Sequence, residues 1–431
     1  MNTWIHSVCD TPLLTQFIKF YRRIFSIAEL EDNKTMWWVF GATLLSYHVT
    51  FYDHANSAAI TVNNALRGHA TCWSYFQNCE DYYFLFSPPY GYSHTFWYMV
   101  LMGVTLLTVF ALSKREFIAA HMLLWIPYTW HALTTFLLTA QHAGNFDYYL
   151  FAFGTTVLFL GHKEYFVKFL LVLFYFLSTA TKTHEAWVGA GYFGAMQLGL
   201  PIFPEAWNVL LTNQLIFMEM IGAWFLFSKR PWLQKSVLAY YVFFHLYSGI
   251  LVWYRYPTIV LPTLIIVFGM FYRHQEIPVD RKSIVGWVFV ALLCVVQSLP
   301  YFIPGDQKFT LEGNRYGVYM FESNHQCVST ETYMFEDGKS NEKIRTNSSS
   351  RNRCDPFDYL QRIQHFCESG TAKVAKVKWT FDHSINGNPF RRQVDVADAC
   401  ELTYKKWGHN EWIRFEQDAP IIGYPKENWM F

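Results

Sequence analysis

The sequence predicts a mainly α integral membrane protein, with about nine transmembrane helices and a small extracytoplasmic α+β C-terminal domain. Three observations carry this prediction. The 431 residues are 52% hydrophobic and 20% aromatic, with only 16% charged, whereas soluble chains carry about a quarter charged residues. The charge is also uneven: residues 1–303 hold 32 of the Lys, Arg, Asp and Glu side chains, and residues 304–431 hold 35. Finally, Lys and Arg alternate in density between successive loops, as they do around helices that cross a bilayer.

Residues 1–35 are expected to be an amphipathic N-terminal segment. The opening residues lack a leading basic region and a small-residue cleavage site, so no secretory signal is expected. Leu13, Leu14, Phe17, Ile18, Tyr21, Ile24 and Phe25 recur at helical spacing around Lys19, Arg22 and Arg23. That pattern suits a helix at the membrane surface or one packed on a bundle.

Residues 36–303 are expected to form the multi-span domain. Apolar segments lie near 36–52, 95–113, 117–139, 147–161, 164–181, 206–228, 232–253, 257–272 and 283–303. A spanning helix needs about 20 apolar residues, sometimes about 17. The fourth and eighth segments are short and suit tilted or re-entrant helices. With the N-terminus inside, inner loops hold twelve Lys or Arg, and outer loops hold only Arg67, Lys182 and Arg255. An odd number of spans then leaves the tail outside the cytosol, across a bacterial inner membrane or an endoplasmic reticulum membrane.

The eight cysteines agree with that orientation. Cys72, Cys79, Cys327, Cys354, Cys367 and Cys400 fall outside, Cys294 in a span and only Cys9 inside. The outer six suit disulfides in an oxidising compartment, with connectivity left open. No pair has zinc-like CxxC spacing, so no metal is expected. A net charge of +1 without a basic patch gives no reason to expect nucleic acid.

Residues 304–431 read as the extracytoplasmic domain. RYGVYMF and VKWTFDHSI alternate as strands do, and DPFDYLQRIQHFCES reads as a helix after a turn. KSNEKIRTNSSSRNR reads as a solvated loop, with Asn347 in a glycosylation sequon.

Candidate chemistry centres on ATKTHEAWVGAGYF, where Lys182, His184 and Glu185 follow a nearly unbroken apolar run. A lysine there can snorkel to the headgroups. If it is buried between helices it loses proton affinity and can serve as a general base. His245 lies in the outer half of the seventh span, where it is either functional or hydrogen-bonded to a neighbouring helix. His142 and Asn145 occupy the short outer loop before the fourth span. Glu219 sits mid-span, which is costly unless it is paired or protonated. His48, His121 and His131 read as packing partners. The many Trp and Tyr suit an interfacial belt, or a cavity for a quinone.

Together these residues resemble the vitamin K-dependent gamma-carboxylase family, whose membrane part also occurs alone in bacterial proteins. The resemblance rests on Lys182 followed by Trp187, on Phe244-His245-Leu246-Tyr247-Ser248-Gly249, and on three tail segments. These are NRYGVYMFESNHQC with His325, DYLQRIQHFC with Cys367, and KWTFDHSINGNPFRRQVDV. The matches cover roughly residues 40–410.

The resemblance implies an enzyme that couples oxidation and epoxidation of reduced vitamin K, or a related quinol, to carboxylation of peptide glutamate. Oxygen and carbon dioxide would be co-substrates. The lysine would start deprotonation of the quinol, and the oxygenated quinol would rearrange to a base strong enough for the glutamate γ-carbon. Such a base must form in a dry cavity. Lys182, His245, His142 and Asn145 are then the expected catalytic residues, and Trp187, His184 and His325 the expected quinol-binding ones. The expected partners are membrane lipid and a glutamate-containing peptide. A family disulfide between the first outer loop and the tail helix implies Cys79 (or Cys72) with Cys367. The chain departs from the family where Asn-His is expected, because Asn145 is followed by Phe146. His142 is the expected substitute. The departure also keeps a second reading open, a carboxylase-like fold that acts in peptide maturation or quinone binding without carboxylation. A transporter built around Glu219 is a third reading, disfavoured because no inverted repeat is visible.

Overall fold

A computed structural model describes residues 12–66, 72–86, 94–138, 140, 143–194, 200–251, 254–318, 323–347, 354–368 and 374–424. It is mostly helical, with an antiparallel sheet of five strands near the C-terminus. His142 and Cys9 lie outside the described residues.

Helix α1 spans Pro12–Ile24. Its apolar residues divide between two tasks. Tyr21 is buried and bonds His121 Nδ1 at 2.7 Å, while Phe17, Phe20 and Ile24 stay exposed. The helix is thus docked on the bundle by one side and apolar on another. The long helices follow: α2 Lys34–Leu66, α3 His94–Ser113, α4 Phe117–Leu133, α5 Asn145–Phe159, α6 Lys163–Ala180, α7 Asn208–Met220, α8 Pro231–Leu251, α9 Arg255–Ile265 and α10 Ile284–Ser298. Each predicted apolar segment is helical over most of its length. Two of them, Thr95–Ser113 and Arg281–Phe302, are long and apolar enough to cross a membrane.

Others are interrupted for local reasons. The segment predicted as one span at 206–228 breaks after Met220 and continues as a 3-10 turn, Gly222–Phe227. Gly222 opens that turn beside the Met218 thioether, 2.7 Å from where a Cβ would lie. Helix α4 contains Pro127 and ends in a π-helical turn, Thr134–Leu138. Helix α9 contains Pro262 and ends in another, Ile266–Met270. Proline removes a backbone donor and bends a helix, and π turns restore the ladder with one extra residue.

Helix α6 is the core of the bundle. Nearly every side chain on it is buried, including Lys163, Glu164 and Lys168. Its N-terminus is closed by Glu29, whose carboxylate accepts from the amides of His162 and Lys163 at 3.0 and 2.8 Å. Its charges are matched locally: Lys168 Nζ donates to Glu164 at 2.5 Å and to the Arg273 carbonyl at 3.0 Å. Buried charges survive only when paired in this way. Gly286 of α10 lets that helix lie directly on the Phe166 ring.

The tail strands are β1 His325–Phe335, β2 Ser340–Asn347, β3 Val374–Ile385, β4 Phe390–Val396 and β5 Ile421–Gly423, in the order β2-β1-β3-β4-β5. Helix α11, Pro356–Glu368, packs on β3. Trp379, Phe381, Tyr333 and Leu360 fill the core between them. Gly338, at φ +81°, makes the β1–β2 turn. The predicted VKWTFDHSI strand and tail helix are present. The described part of RYGVYMF, residues 315–318, is not strand: Asn314–Tyr316 is a short 3-10 helix, residues 319–321 lie outside the described ones, and β1 begins at His325. Much of KSNEKIRTN is not a loop but β2. As an exposed edge strand it has polar residues on both faces, so its sequence lacks the alternation that marks a strand.

Cysteine pairing differs from the resemblance. The bonds are Cys72–Cys79, Cys327–Cys354 and Cys367–Cys400, so Cys79 is not joined to Cys367. The connection between α2 and α3 does rest on the tail helix. The Cys72 amide donates to Gln361 at 3.0 Å, and His365 bonds Glu80 at 3.2 Å. Polar contacts make that junction, and each sulfur finds a partner on its own side of it.

Candidate functional site

Helices α5 and α6 are antiparallel neighbours, so Asn145 at the start of α5 and Lys182 just past α6 share one end of the bundle. The α8–α9 junction comes to that end too, because His245 of α8 bonds Tyr175 of α6. The structure therefore gathers there the described residues singled out in the helical part of the sequence.

Lys182 is 3% exposed. It turns inward, and its Nζ donates to Glu219 Oε2 of α7 at 2.9 Å. Thr179 Oγ1 donates to the same carboxylate oxygen. Glu219 is 1% exposed, so an acid and an amine with no solvent around them form one net-neutral pair. The amine also lies over the Trp187 ring, 5.3 Å from its centroid. Trp187 is stacked on Tyr192 at 5.0 Å, and the Tyr192 carbonyl accepts from Asn324 Nδ2 at 2.6 Å. The tail segment next to His325 thus braces the aromatic wall beside the lysine. His184 is the N-cap of the short helix Glu185–Val188 that presents Trp187.

His245 is fully buried among Tyr175, Tyr241, Tyr256 and Phe244. Its Nε2 meets the Tyr175 hydroxyl, and its Nδ1 has no hydrogen-bond partner among the described residues. Tyr241 stacks on Tyr175 at 4.5 Å.

His325 lies elsewhere in its chemistry, paired in the tail with His383, Nδ1 to Nε2 at 2.9 Å. His383 Nδ1 donates to the Phe309 carbonyl at 3.1 Å. The neutral His383 ring therefore accepts from His325. Burial holds the His383 imidazole well below its usual value, and the His325 ring pushes it the same way.

The sequence reading did not foresee one cluster. Asp147 of α5 is fully buried, and its Oδ1 accepts from His131 Nε2 of α4 at 2.9 Å and from Arg255 of α9 at 2.9 Å. Arg255 also reaches Asp53 at 3.1 Å and His54 Nε2 at 3.1 Å, both on α2. Its guanidinium caps the Phe146 ring at 4.1 Å. Asn145 is half-buried at the head of the same helix. His131 is thus a carboxylate-oriented imidazole rather than a packing residue, unlike His48 and His121. The available signals were Asp147 at the start of an apolar segment and Arg255 among three outer cations.

An open cleft of about 210 Å³ is lined by Thr181, Thr183, Tyr301, Asp306 and Lys308. Lys182 is not among its walls; its amine is bound to Glu219. Among the described residues, no group of three or more His, Cys, Asp or Glu is placed to hold a metal ion. No family model, curated protein or solved structure matches this chain.

Proposed function

We propose that this chain is an integral membrane enzyme of the vitamin K-dependent carboxylase type, coupling quinol oxidation to carboxylation of peptide glutamate. The nine helical segments would cross the bilayer, with the tail on the extracytoplasmic side. The observation that carries the reading is the buried Lys182–Glu219 pair under Trp187.

The chemistry asks for a proton acceptor shielded from water beside an aromatic binding face. The net-neutral ammonium–carboxylate pair would be the state after proton uptake: with Glu219 ionised and Lys182 as the free amine, taking one proton converts an uncompensated buried anion into that pair. Lys182 Nζ is the atom that would receive it, with Glu219 and Thr179 fixing its position. Trp187 would hold the ring of a bound quinol, which would supply the electrons and the acidic hydroxyl. His245 Nδ1, with no partner among the described residues, would orient a second oxygen of that ring.

The test uses purified protein with a reduced naphthoquinone, labelled bicarbonate and a glutamyl peptide. Wild-type protein should convert quinol and fix label, and Lys182→Ala should lose both. Unchanged quinol conversion in Lys182→Ala would reject the lysine as the acceptor.

One observation favours the second reading, a related fold without carboxylation. Phe146 stands where the family has histidine, and Arg255 covers its ring. On that reading quinol is bound or oxidised, and no label enters the peptide.

A further inference from the structure

Helix α1 carries three stripes, and the bundle uses one of them. Leu14, Ile18 and Tyr21 recur three and four residues apart, as neighbours on one helix face do, and they are buried or half-buried. Phe17, Phe20 and Ile24 form a second stripe and are 45%, 62% and 50% exposed. Lys19, Arg22 and Arg23 form a third, also exposed. Arg22 pairs with Glu31, and Lys19 and Arg23 carry the remaining exposed charge of a helix without acidic residues.

The helix is held at one end of the bundle, where α2, α4 and α6 begin and α3 and α5 end. Tyr21 bonds His121 of α4 at 2.7 Å. Phe25, just past α1, meets Trp125 of α4 at 5.9 Å and Phe159, the last residue of α5, at 6.4 Å. Lys182, just past α6, belongs to the opposite end.

These contacts fix how far along the bundle α1 sits. His121 and Trp125 are four and eight residues beyond Phe117, where α4 starts, or about 6 and 12 Å along its axis. The turn before α4, residues 114–116, is charged and exposed. So α1 is seated just inside a charged rim. With 13 residues it is about 20 Å long, too short to cross a hydrocarbon core of about 30 Å. A short helix docked on one side, apolar on the second and cationic on the third suits the headgroup boundary, where interfacial helices seat their apolar side about 5–10 Å deep.

Charge selects the lipid. Among the described residues at that end, twelve exposed Lys and Arg stand against four exposed acids, Asp32, Glu116, Glu276 and Asp280, and two half-buried ones, Glu29 and Glu31. A surface with that excess is attracted to an anionic leaflet.

We propose that α1 is a docked interfacial helix that binds anionic phospholipid. Phe17, Phe20 and Ile24 enter the acyl region, and Lys19 and Arg23 hold the phosphates. The proposal rests on reading the helical segments as membrane spans, and it adds a lipid preference that the spans do not require. The chain runs from α1 through Phe25 to Glu29, so lipid that holds α1 also steadies the carboxylate that closes α6.

The test uses full-length protein in nanodiscs, one copy per disc, carrying Cys9→Ser and Cys294→Ser and a nitroxide at Phe20→Cys or Lys19→Cys. Both labelled positions are exposed, so the fold should survive. In discs containing phosphatidylglycerol, the label at 20 should meet dissolved oxygen and be shielded from an aqueous nickel chelate. The label at 19 should show the reverse. Backbone hydrogen exchange across residues 12–24 should be about thirtyfold slower there than in phosphatidylcholine discs, the effect of two cations. Lys19→Gln with Arg23→Gln should abolish the difference. Chelate reaching both labels alike would put the helix in water and overturn the proposal. Shielding of residue 20 only in discs holding two copies would give the face to a second chain and overturn it too, as would equal exchange in the two lipids. Alkaline extraction of membranes separates this proposal from the reading beneath it. Release of the chain would sink both, and retention with residue 20 open to chelate would sink this proposal alone.

Discussion

Lys182, just past α6, and Glu219 of α7 lie 37 positions apart and meet at 2.9 Å with almost no solvent on either side. Each removes the cost of burying the other. Replacing one alone, as in Lys182→Met or Glu219→Gln, should destabilise the bundle by about 3–5 kcal/mol if the partner stays charged. Making both changes together should recover much of that loss. Thermal unfolding in detergent, run as a double-mutant cycle, checks this. Strictly additive losses would show that the two side chains are not coupled.

The helical bundle should tolerate no side chain at Gly286. A methyl there would lie 2.2 Å from the Phe166 ring, and both residues sit on packed backbone. Gly286→Ala should lower stability by about 1–3 kcal/mol. A smaller residue at the other side, Phe166→Leu, should relieve much of it. An unshifted melting temperature in Gly286→Ala would contradict the close contact between α10 and α6.

Disulfide mapping should find Cys72 with Cys79, Cys327 with Cys354 and Cys367 with Cys400. Non-reducing proteolysis and mass spectrometry read this directly, and a peptide joining Cys79 to Cys367 would refute the pairing. Replacing both Cys367 and Cys400 by serine should cost the tail about 3 kcal/mol.

The tail should weaken in mild acid through His383. Its imidazole is held below the usual value of about 6.5. Above that pH both folded and unfolded forms are neutral, and the residue adds no pH dependence. As pH falls below about 6.5 the unfolded chain takes a proton that the folded chain refuses, so stability is lost progressively toward the folded value. Protonation would also set two N–H groups of the His325–His383 pair against each other. Unfolding of the tail, followed through buried Trp379, should show this loss in wild type and less of it in His383→Gln. Identical pH slopes in the two proteins would remove His383 from the account.

The proposed orientation places the β1–β2 turn outside and the α3–α4 turn inside. A membrane-impermeant maleimide should label Asp337→Cys on intact cells or sealed vesicles of the right orientation. Lys114→Cys should react only after permeabilisation. Both positions are exposed, so access depends on the side of the membrane. The opposite pattern would invert the topology.

The helical segments were legible in the sequence because an apolar run long enough to form a helix declares itself residue by residue. The tail helix at 356–368 and the strand at 374–385 were legible for the same reason, having a buried face with a period of its own. β2 was not, because an edge strand is defined by the backbone it pairs with and its side chains carry no pattern. Lys182, His245 and Glu219 stood out as charges in apolar surroundings. That two of them form one pair was decided by the packing of α6 against α7, which no local feature encodes. The same holds for Asp147, His131 and Arg255, drawn from three helices into one buried network. A sequence sets the cost of burying each charge, and only the tertiary arrangement chooses the partner that offsets it.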